Sequence, residues 1–404
     1  MAKQIFDPIH GFISTTPLMQ QIIDTKEFQR LRDLKQLGAV SFVFPSANHT
    51  RFEHSLGVSH LAGIMASSLR EKHPGKQISD RDIELIRIAG LIHDIGHGPY
   101  SHLYDHYVRQ GGEPEHEERG CIIFKQLVQD HDLELSEEEV EDIIQMVHPS
   151  KERMHHWKYQ IVANRISHVD VDKIDYLQRD SYHIGLKIDG EYSRLLTQCY
   201  IKEYSNDAAD HPPHEVIAWP EKLQFDMFAL FLTRYRLHKQ VYNHHTVKAF
   251  EYVIAEILQK LKEKNIPFIE CSDSMVLCHL HADLRGVQDK LKQRKLPKLI
   301  AEKIIQSDTR ERILQVSADT YPRYVLDLII DKVEIGFASS KHSNPLDQIY
   351  YFKDVHDPEC FRLKASTTSF CIPEKHYETI LRLYTTNPHR PTDPEVINNF
   401  LYKL

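Results

Sequence analysis

The stretch His93-Asp-Ile-Gly-His-Gly-Pro-Tyr-Ser-His102 places three histidines and an aspartate within ten residues, directly after an apolar segment. That segment predicts a helix capped by Ser79, with Asp82 completing a capping-box pattern three residues later. Residues 83–92 are apolar nearly all round, which is typical of a buried helix. Glycines and a proline in the quoted stretch end the helix, so its first histidine and aspartate are held at the helix end by packing.

An imidazole beside a carboxylate at a buried helix end loses solvation free energy unless a partner compensates it. A divalent metal ion is the simplest partner, although His93 and Asp94 alone are equally compatible with hydrogen-bonded core residues. His54 lies on an earlier predicted helix opened by a capping-box pattern at Thr50, and Asp172 begins a later one. Two histidines and two aspartates on successive helices of one bundle can converge on a metal. This donor set suits Fe, Mn, Zn or Mg without choosing between them.

Two further predicted helices carry polar faces. On the first, Asp172, Tyr176, Asp180 and His183 recur every three or four residues and therefore share one side, which is typical of a pocket wall. A later helix repeats the pattern through four residues: Arg234, His238, Tyr242 and His245. Arginine binds phosphate in a bidentate manner, and a tyrosine ring offers a flat wall for a sugar or base. A solvated face is the alternative interpretation of either helix.

Composition excludes several protein classes. The chain has 404 residues, a net charge of -8 and six scattered cysteines. The acidic balance argues against a primary nucleic-acid-binding role, and no apolar run is long enough to span a bilayer. Without a CxxC pair, the cysteines indicate a reducing compartment rather than a disulfide framework. We therefore expect a cytoplasmic protein, with the nucleus as the alternative, and no signal peptide.

The expected fold is mostly α: a helical bundle carrying a smaller C-terminal α+β lobe. We predict a main domain over residues 1–315, with its core at about 50–180, and a mixed lobe over residues 316–404. A long helix is predicted over 223–262. Alternating segments predict strands at 323–337, 348–352 and 361–372. A last helix is predicted from Pro373 to Thr385.

The order His54, His93-Asp94, Asp172 resembles the H…HD…D pattern of HD-domain metal-dependent phosphohydrolases. The surrounding strings are similar to those of the sterile-alpha-motif and HD-domain deoxynucleoside triphosphate (dNTP) triphosphohydrolases. These strings are Asp7-Pro-Ile-His-Gly11, Glu27-Phe-Gln-Arg-Leu-Arg32, Arg51-Phe-Glu-His-Ser-Leu-Gly57, the opening stretch, Asp170-Val-Asp-Lys-Ile-Asp-Tyr176, Asn344-Pro-Leu-Asp347 and Pro373-Glu-Lys375. The resemblance covers nearly the whole chain, and we expect no sterile-alpha-motif domain before the catalytic core.

This resemblance implies hydrolysis of a dNTP to the deoxynucleoside and inorganic triphosphate. It implies a divalent metal (Fe, Zn or Mn) at the HD site, with Mg on the triphosphate. The implied metal ligands are His54, His93, Asp94 and Asp172. The implied catalytic cluster at the α-phosphate is His97, His102, His116, Asp105 and Glu117. Either His102 or His116 is the candidate proton donor to the departing oxygen.

The resemblance also implies a substrate pocket. The residues expected to hold the triphosphate are Arg51, Lys173, Tyr176 and Arg234. Gln36 and Asp180 are expected to read the sugar 3′-hydroxyl, Leu37 to contact the base, and His238 to line the pocket. Tyr242 is expected to crowd the 2′ position and so reject ribonucleotides.

Regulation is implied as well. The residues that match a guanine-nucleotide site for GTP or dGTP are Lys3, Asp24, Gln29 and Arg32. Glu191 and Arg194 resemble part of a second nucleotide site, and the expected assembly is a homo-oligomer, a dimer or tetramer. Two alternatives remain open: an HD phosphohydrolase acting on another nucleotide or on nucleic-acid ends, and a catalytically silent nucleotide-binding scaffold. Nucleic acid is at most a secondary partner.

Overall fold

The computed structural model describes most of the chain. The described residues are 3–187, 192–205, 213–264, 266, 270–278, 282–305, 328–338, 343–369, 371–373 and 375–387. Glu191 of the expected second nucleotide site lies outside them. So does the first part of the strand predicted from residue 323.

Helices make up most of the described structure, as the sequence predicts. They are α1 (Pro17–Ile23), α2 (Lys26–Gln29), α3 (Arg51–Lys72), α4 (Asp80–Ile92), α5 (His116–Asp130), α6 (Glu137–Val147), α7 (Val171–Ile184), α8 (Ser193–Thr197), α9 (Gln224–Leu237), α10 (His245–Lys262), α11 (Asp273–Cys278), α12 (Arg285–Lys292) and α13 (Ala365–Thr368). A mostly helical fold with small sheets is confirmed. None of the described helices combines the length and the apolar character that crossing a membrane requires.

The strands form three small sheets. They are β1 (Lys3–Asp7), β2 (Gly11–Thr15), β3 (Tyr200–Tyr204), β4 (His214–Pro220), β5 (Lys298–Ile305), β6 (Leu328–Gly336), β7 (Tyr350–Phe352), β8 (Phe361–Arg362) and β9 (Tyr377–Thr385). Strands β1 and β2 pair as an antiparallel hairpin, the second sheet has the order β3-β4-β7-β8, and the third has the order β5-β9-β6. Two of these sheets take strands from both sides of residue 315, and the domain boundary there stays a prediction.

The pair α3 and α4 positions the quoted histidine stretch. Ser79 and Asp82 form the predicted capping box, since each side chain bonds the other residue's backbone N–H. Helix α4 ends at Ile92, and its inner residues are fully buried against α3. The predicted capping box at Thr50 is wrong, because the Thr50 side chain makes no cap hydrogen bond. The backbone there pairs instead with residues 34–35, and Arg51 N–H donates to Leu34 O at 2.9 Å.

The predicted C-terminal helix is also wrong. Residues 377–385 form β9, the central strand of the third sheet, in register with β5 on one side and β6 on the other. A central strand is buried on both faces, so its apolar run does not alternate and is easily taken for a helix. The predicted strand at 361–372 is reduced to Phe361–Arg362, and α13 follows.

The predicted helix over 223–262 is interrupted. Helix α9 ends at Leu237, a π-helical turn covers His238–Tyr242, and α10 begins at His245. Such turns shift the helical register and occur frequently at functional sites. Here the turn carries two of the candidate pocket residues.

Helices α3 and α7 approach each other closely at Gly57. A β-carbon at this position would lie 1.9 Å from Asp175 Oδ1 and 2.4 Å from Arg179 Nη2, both buried on α7. Only hydrogen fits there. We therefore expect Gly57→Ala to lower the free energy of unfolding by about 3 kcal/mol or more, because it displaces a buried ion pair.

Chemical unfolding followed by circular dichroism measures this effect. Gly286→Ala on α12 is the control, because a β-carbon there meets nothing within 4 Å. It should be neutral or slightly stabilising, by about 1 kcal/mol at most. Equal stability of the two variants would contradict the close contact between α3 and α7.

Candidate active site

Four residues from three helices meet at one point. His54 comes from α3, His93 and Asp94 from the end of α4, and Asp172 from the first turn of α7. His54 Nε2 lies 3.0 Å from Asp172 Oδ1 and 3.6 Å from Asp94 Oδ2. His93 Nε2 lies 3.5 Å from each of the two carboxylates. The structure thus brings together the set of candidate ligands that the sequence predicts.

Hydrogen bonds to the Nδ1 atoms fix the orientation of the two imidazoles. His54 Nδ1 donates to Asp175 Oδ2 at 2.7 Å, and His93 Nδ1 donates to the carbonyl of Gly90 at 2.8 Å. Their Nε2 atoms therefore face each other, 3.2 Å apart. Protein metal sites commonly fix histidine ligands in this way, with the second ring nitrogen bonded to a carboxylate or carbonyl.

The electrostatic field at this point favours a positive charge. Burial opposes protonation of His54, but hydrogen bonds to Asp172 and Asp175 outweigh it and raise the pKa of His54 to about 10. Burial likewise opposes ionisation of Asp94, yet Arg51 and the neighbouring histidines hold its pKa well below the ordinary value. A site that attracts a proton so strongly will also attract a divalent cation, which replaces the proton when it binds. The donor set fits Fe, Mn or Zn.

A second histidine cluster lies beside the first. The rings of His97 and His116 stack with centroids 4.0 Å apart, and the His102 ring stands edge-on to both. His116 Nδ1 donates to Asp105 at 2.9 Å, and Arg119 also binds Asp105. Desolvation and the neighbouring His116 and Arg51 lower the pKa of His102, whose ring is nevertheless accessible from the cavity.

The loop that carries His97 and His102 has an unusual backbone. Tyr100 and Ser101 both have positive φ angles, 58° and 61°, a conformation that costs free energy for residues other than glycine. Asp273 of α11 accepts from Tyr100 N–H at 2.6 Å and from Lys35 N–H at 2.9 Å. Sequence reasoning did not predict this carboxylate, which ties the loop to a segment 173 residues further along the chain.

The candidate residues surround one cavity of about 560 Å³. All four candidate metal ligands line it, as do all nine candidate substrate residues: Gln36, Leu37, Arg51, Lys173, Tyr176, Asp180, Arg234, His238 and Tyr242. Of the candidate catalytic residues, His97, His102, His116 and Glu117 line it, whereas Asp105 stands behind His116. Glu117 is bound by His148 and Arg165 at the cavity edge.

A hydrogen-bonded group lies where the sugar is expected. Asp180 accepts from Tyr242 Oη at 2.5 Å and from His49 Nε2 at 2.7 Å. Gln36 is buried beside this group in the cavity wall, and its Oε1 has no hydrogen-bond partner among the described residues. His49 is a second residue that sequence reasoning missed, since nothing in its spacing relates it to Asp180, 131 residues away.

The candidate guanine-nucleotide residues are not among those lining the cavity. Gln29 donates to Ile23 O at 2.7 Å and accepts from Arg32 Nε at 2.8 Å. Two of the four candidate residues therefore bind each other. Asp24 accepts from Gln20, and Lys3 is exposed on β1. Arg194 of the expected second site forms an ion pair with Asp226 at 3.1 Å.

Comparison with known proteins agrees with this geometry. A family model for the HD domain matches residues 51–180. The chain is 34% identical to the "deoxynucleoside triphosphate triphosphohydrolase SAMHD1 homolog" of Dictyostelium discoideum, over 95% of this chain and 77% of the relative. It is 30% identical to human "deoxynucleoside triphosphate triphosphohydrolase SAMHD1" over 95% and 70%, respectively. It is also 30% identical to a "putative HD domain-containing protein" of Acanthamoeba polyphaga mimivirus over 92% and 88%.

Removing one candidate ligand should weaken metal binding without unfolding the protein. Asp172→Asn keeps the volume of the side chain and removes only its charge. Because the Asp172 side chain is 37% exposed, we expect the fold to tolerate this change. We expect its affinity for Mn²⁺, measured by equilibrium dialysis, to fall by about tenfold or more. His168→Asn is the control, because His168 lines the same cavity and is not one of the four candidate ligands. Unchanged affinity in Asp172→Asn would remove this residue from the ligand set.

Proposed function

The chain belongs to the family of HD-domain deoxynucleoside triphosphate triphosphohydrolases, and from this premise we propose that it hydrolyses dNTPs to deoxynucleosides and inorganic triphosphate. The proposal rests on one observation. A single cavity combines a His/Asp cluster suited to a metal, a wall of cationic side chains and the hydrogen-bonded pair of Asp180 and Tyr242. A nucleoside triphosphate needs these three environments together.

The cationic wall would hold the triphosphate. Arg51, Lys173 and Arg234 come from α3, α7 and α9, and all three are buried at the cavity surface. Arg51 already pairs with Asp94, and Lys173 lies 3.7 Å from Asp170. These carboxylates keep Arg51 and Lys173 oriented in the absence of substrate, so little reorganisation is needed when phosphate arrives.

A divalent metal held by His54, His93, Asp94 and Asp172 would polarise the α-phosphate and lower the pKa of a water molecule, with Mg²⁺ accompanying the triphosphate. The reaction joins a water oxygen to the α-phosphorus and breaks the bond from that phosphorus to the 5′-oxygen. The departing oxygen needs a proton.

Two histidines could supply this proton. His102 is accessible from the cavity, and the negative triphosphate would counteract the burial and the neighbouring His116 and Arg51 that lower its pKa. His116 is fixed by Asp105, which accepts from its Nδ1 and leaves Nε2 free to act. Replacing either histidine with asparagine should lower kcat far more than it raises KM.

We propose nucleotide regulation on the same basis. Lys3, Asp24, Gln29 and Arg32 would bind GTP or dGTP outside the cavity, and the active form would be a dimer or tetramer. A cytoplasmic location fits the six cysteines, which are all free.

The central test is the identity of the products. The purified chain is incubated with each dNTP in the presence of Mg²⁺ and Mn²⁺, with and without GTP, and the products are separated by ion-exchange chromatography. We expect inorganic triphosphate and free deoxynucleoside in equal amounts, and none after Asp172→Asn. Release of orthophosphate or pyrophosphate would refute cleavage at the α-phosphate, and no turnover in any mixture would favour a silent scaffold.

Tyr242 provides a test of sugar selection. If its ring crowds the 2′ position, Tyr242→Ala should raise the kcat/KM for GTP or ATP relative to the matching dNTP by about tenfold or more. Tyr242→Phe is the matched variant, because it keeps the ring and loses only the hydrogen bond to Asp180. It should still reject ribonucleotides. Unchanged ribonucleotide turnover in Tyr242→Ala would show that another group excludes the 2′-hydroxyl.

A further inference from the structure

An ion pair in the cavity wall has no part in the reaction described above. Lys248 and Glu251 are one turn apart on α10, and Lys248 Nζ donates to Glu251 Oε2 at 2.7 Å. Both side chains are largely buried, 16% and 13% exposed, and both line the substrate cavity. Two charges held so far from solvent lose solvation free energy, so their presence in a binding cavity calls for a reason.

Helix α10, which carries the pair, is packed against two turns of the chain. Phe250, between the two charged residues in sequence, stacks on Phe42 with ring centroids 4.7 Å apart. Phe42 ends the 3₁₀ turn Gly38–Phe42, whose neighbour Leu37 is the expected base contact. Tyr252 packs edge-on against Tyr107 on the other side. Leu37 and the pair line the same cavity, and Lys248 lies close to His238 and Tyr107.

The pair is charged and has unused hydrogen-bonding capacity. Burial opposes a charge on Lys248, but Glu251, Tyr107 and Asp331 hold its pKa above the ordinary value. Among the described residues, each of these two side chains makes a hydrogen bond only to the other. An ammonium group has three donors and a carboxylate has about four acceptor positions. Donors and acceptors therefore remain available to a ligand.

We propose that Lys248 and Glu251 read the Watson–Crick edge of the nucleobase and favour guanine. This inference rests on the proposed function, because it assumes that a dNTP occupies the cavity. Guanine presents two adjacent donors, N1–H and the N2 amino group, next to one acceptor, O6. The Glu251 carboxylate can accept both donors while the Lys248 ammonium donates to O6. Adenine, cytosine and thymine do not present two adjacent donors to a carboxylate.

The apolar part of the cavity wall would bind any base equally. Leu37 and Val40 can pack against the face of a purine or pyrimidine without distinguishing its edge. Discrimination has to come from polar groups, because a buried polar group left without a partner penalises the wrong ligand. The ion pair supplies such groups.

The test compares kcat/KM for the four dNTPs in the full-length chain, with saturating GTP throughout so that activation is constant. We expect the wild type to prefer dGTP. Glu251→Gln should lower kcat/KM for dGTP by about tenfold to a hundredfold, the loss of one charged hydrogen bond. The values for dATP, dCTP and dTTP should change by less than about threefold. Glu256→Gln is the matched control, because Glu256 pairs with Lys260 on the exposed side of the same helix.

A double variant guards against misfolding. Lys248→Gln combined with Glu251→Gln removes both charges, so no unpaired charge stays buried, and its melting temperature should match that of the wild type within a few degrees. It should also lose the preference for dGTP. Equal wild-type turnover of all four dNTPs, or an equal loss for all four in the variants, would overturn the inference and leave the proposed function intact. No turnover of any dNTP by the wild type would instead refute the proposed function.

Discussion

The Asp175 carboxylate is the interaction on which the rest of the structure depends. It is fully buried and accepts from His54 Nδ1 at 2.7 Å, from His10 Nε2 at 2.6 Å and from Arg179 at 2.9 Å. Burial opposes its ionisation, but Arg179 and the two histidines hold its pKa well below the ordinary value. One negative charge thus joins the N-terminal hairpin, α3 and α7. Without it, His54 would lose its orientation and three elements would lose their common partner.

The cavity holds charges of both signs in fixed positions. Carboxylates gather around the paired Nε2 atoms of His54 and His93, Arg51 binds one of these carboxylates, Asp94, and Lys173 and Arg234 line the same wall. The cationic side chains attract a highly charged anion that enters such a cavity. The His/Asp cluster offers a cation-binding centre at one point of the wall. The fixed orientation of these groups matters more than their number, because groups that are already in place need not reorganise during the reaction.

Much of the site could be predicted from sequence, since the decisive residues sit in local patterns. Helical geometry and burial are enough to recognise a histidine and an aspartate at a helix end. They are also enough to recognise polar residues that repeat along one face of α7. The partners behind them could not be predicted. His49, Asp175 and Asp273 act across gaps of more than a hundred residues, and no local pattern records such contacts. Strand β9 is a further case, because its apolar run does not alternate and the partners β5 and β6 that make it a central strand lie far away in the chain.

Gly57 has a consequence for how this chain can vary. Its missing side chain leaves the space that Asp175 and Arg179 occupy, so the three positions constrain one another. An alanine at position 57 is tolerated only if smaller residues replace Asp175 or Arg179 on α7. Asp175 in turn can be replaced only together with His54, which it orients. Substitutions at these sites are therefore expected to be strongly epistatic. Relatives that differ at one of them should differ at the others as well.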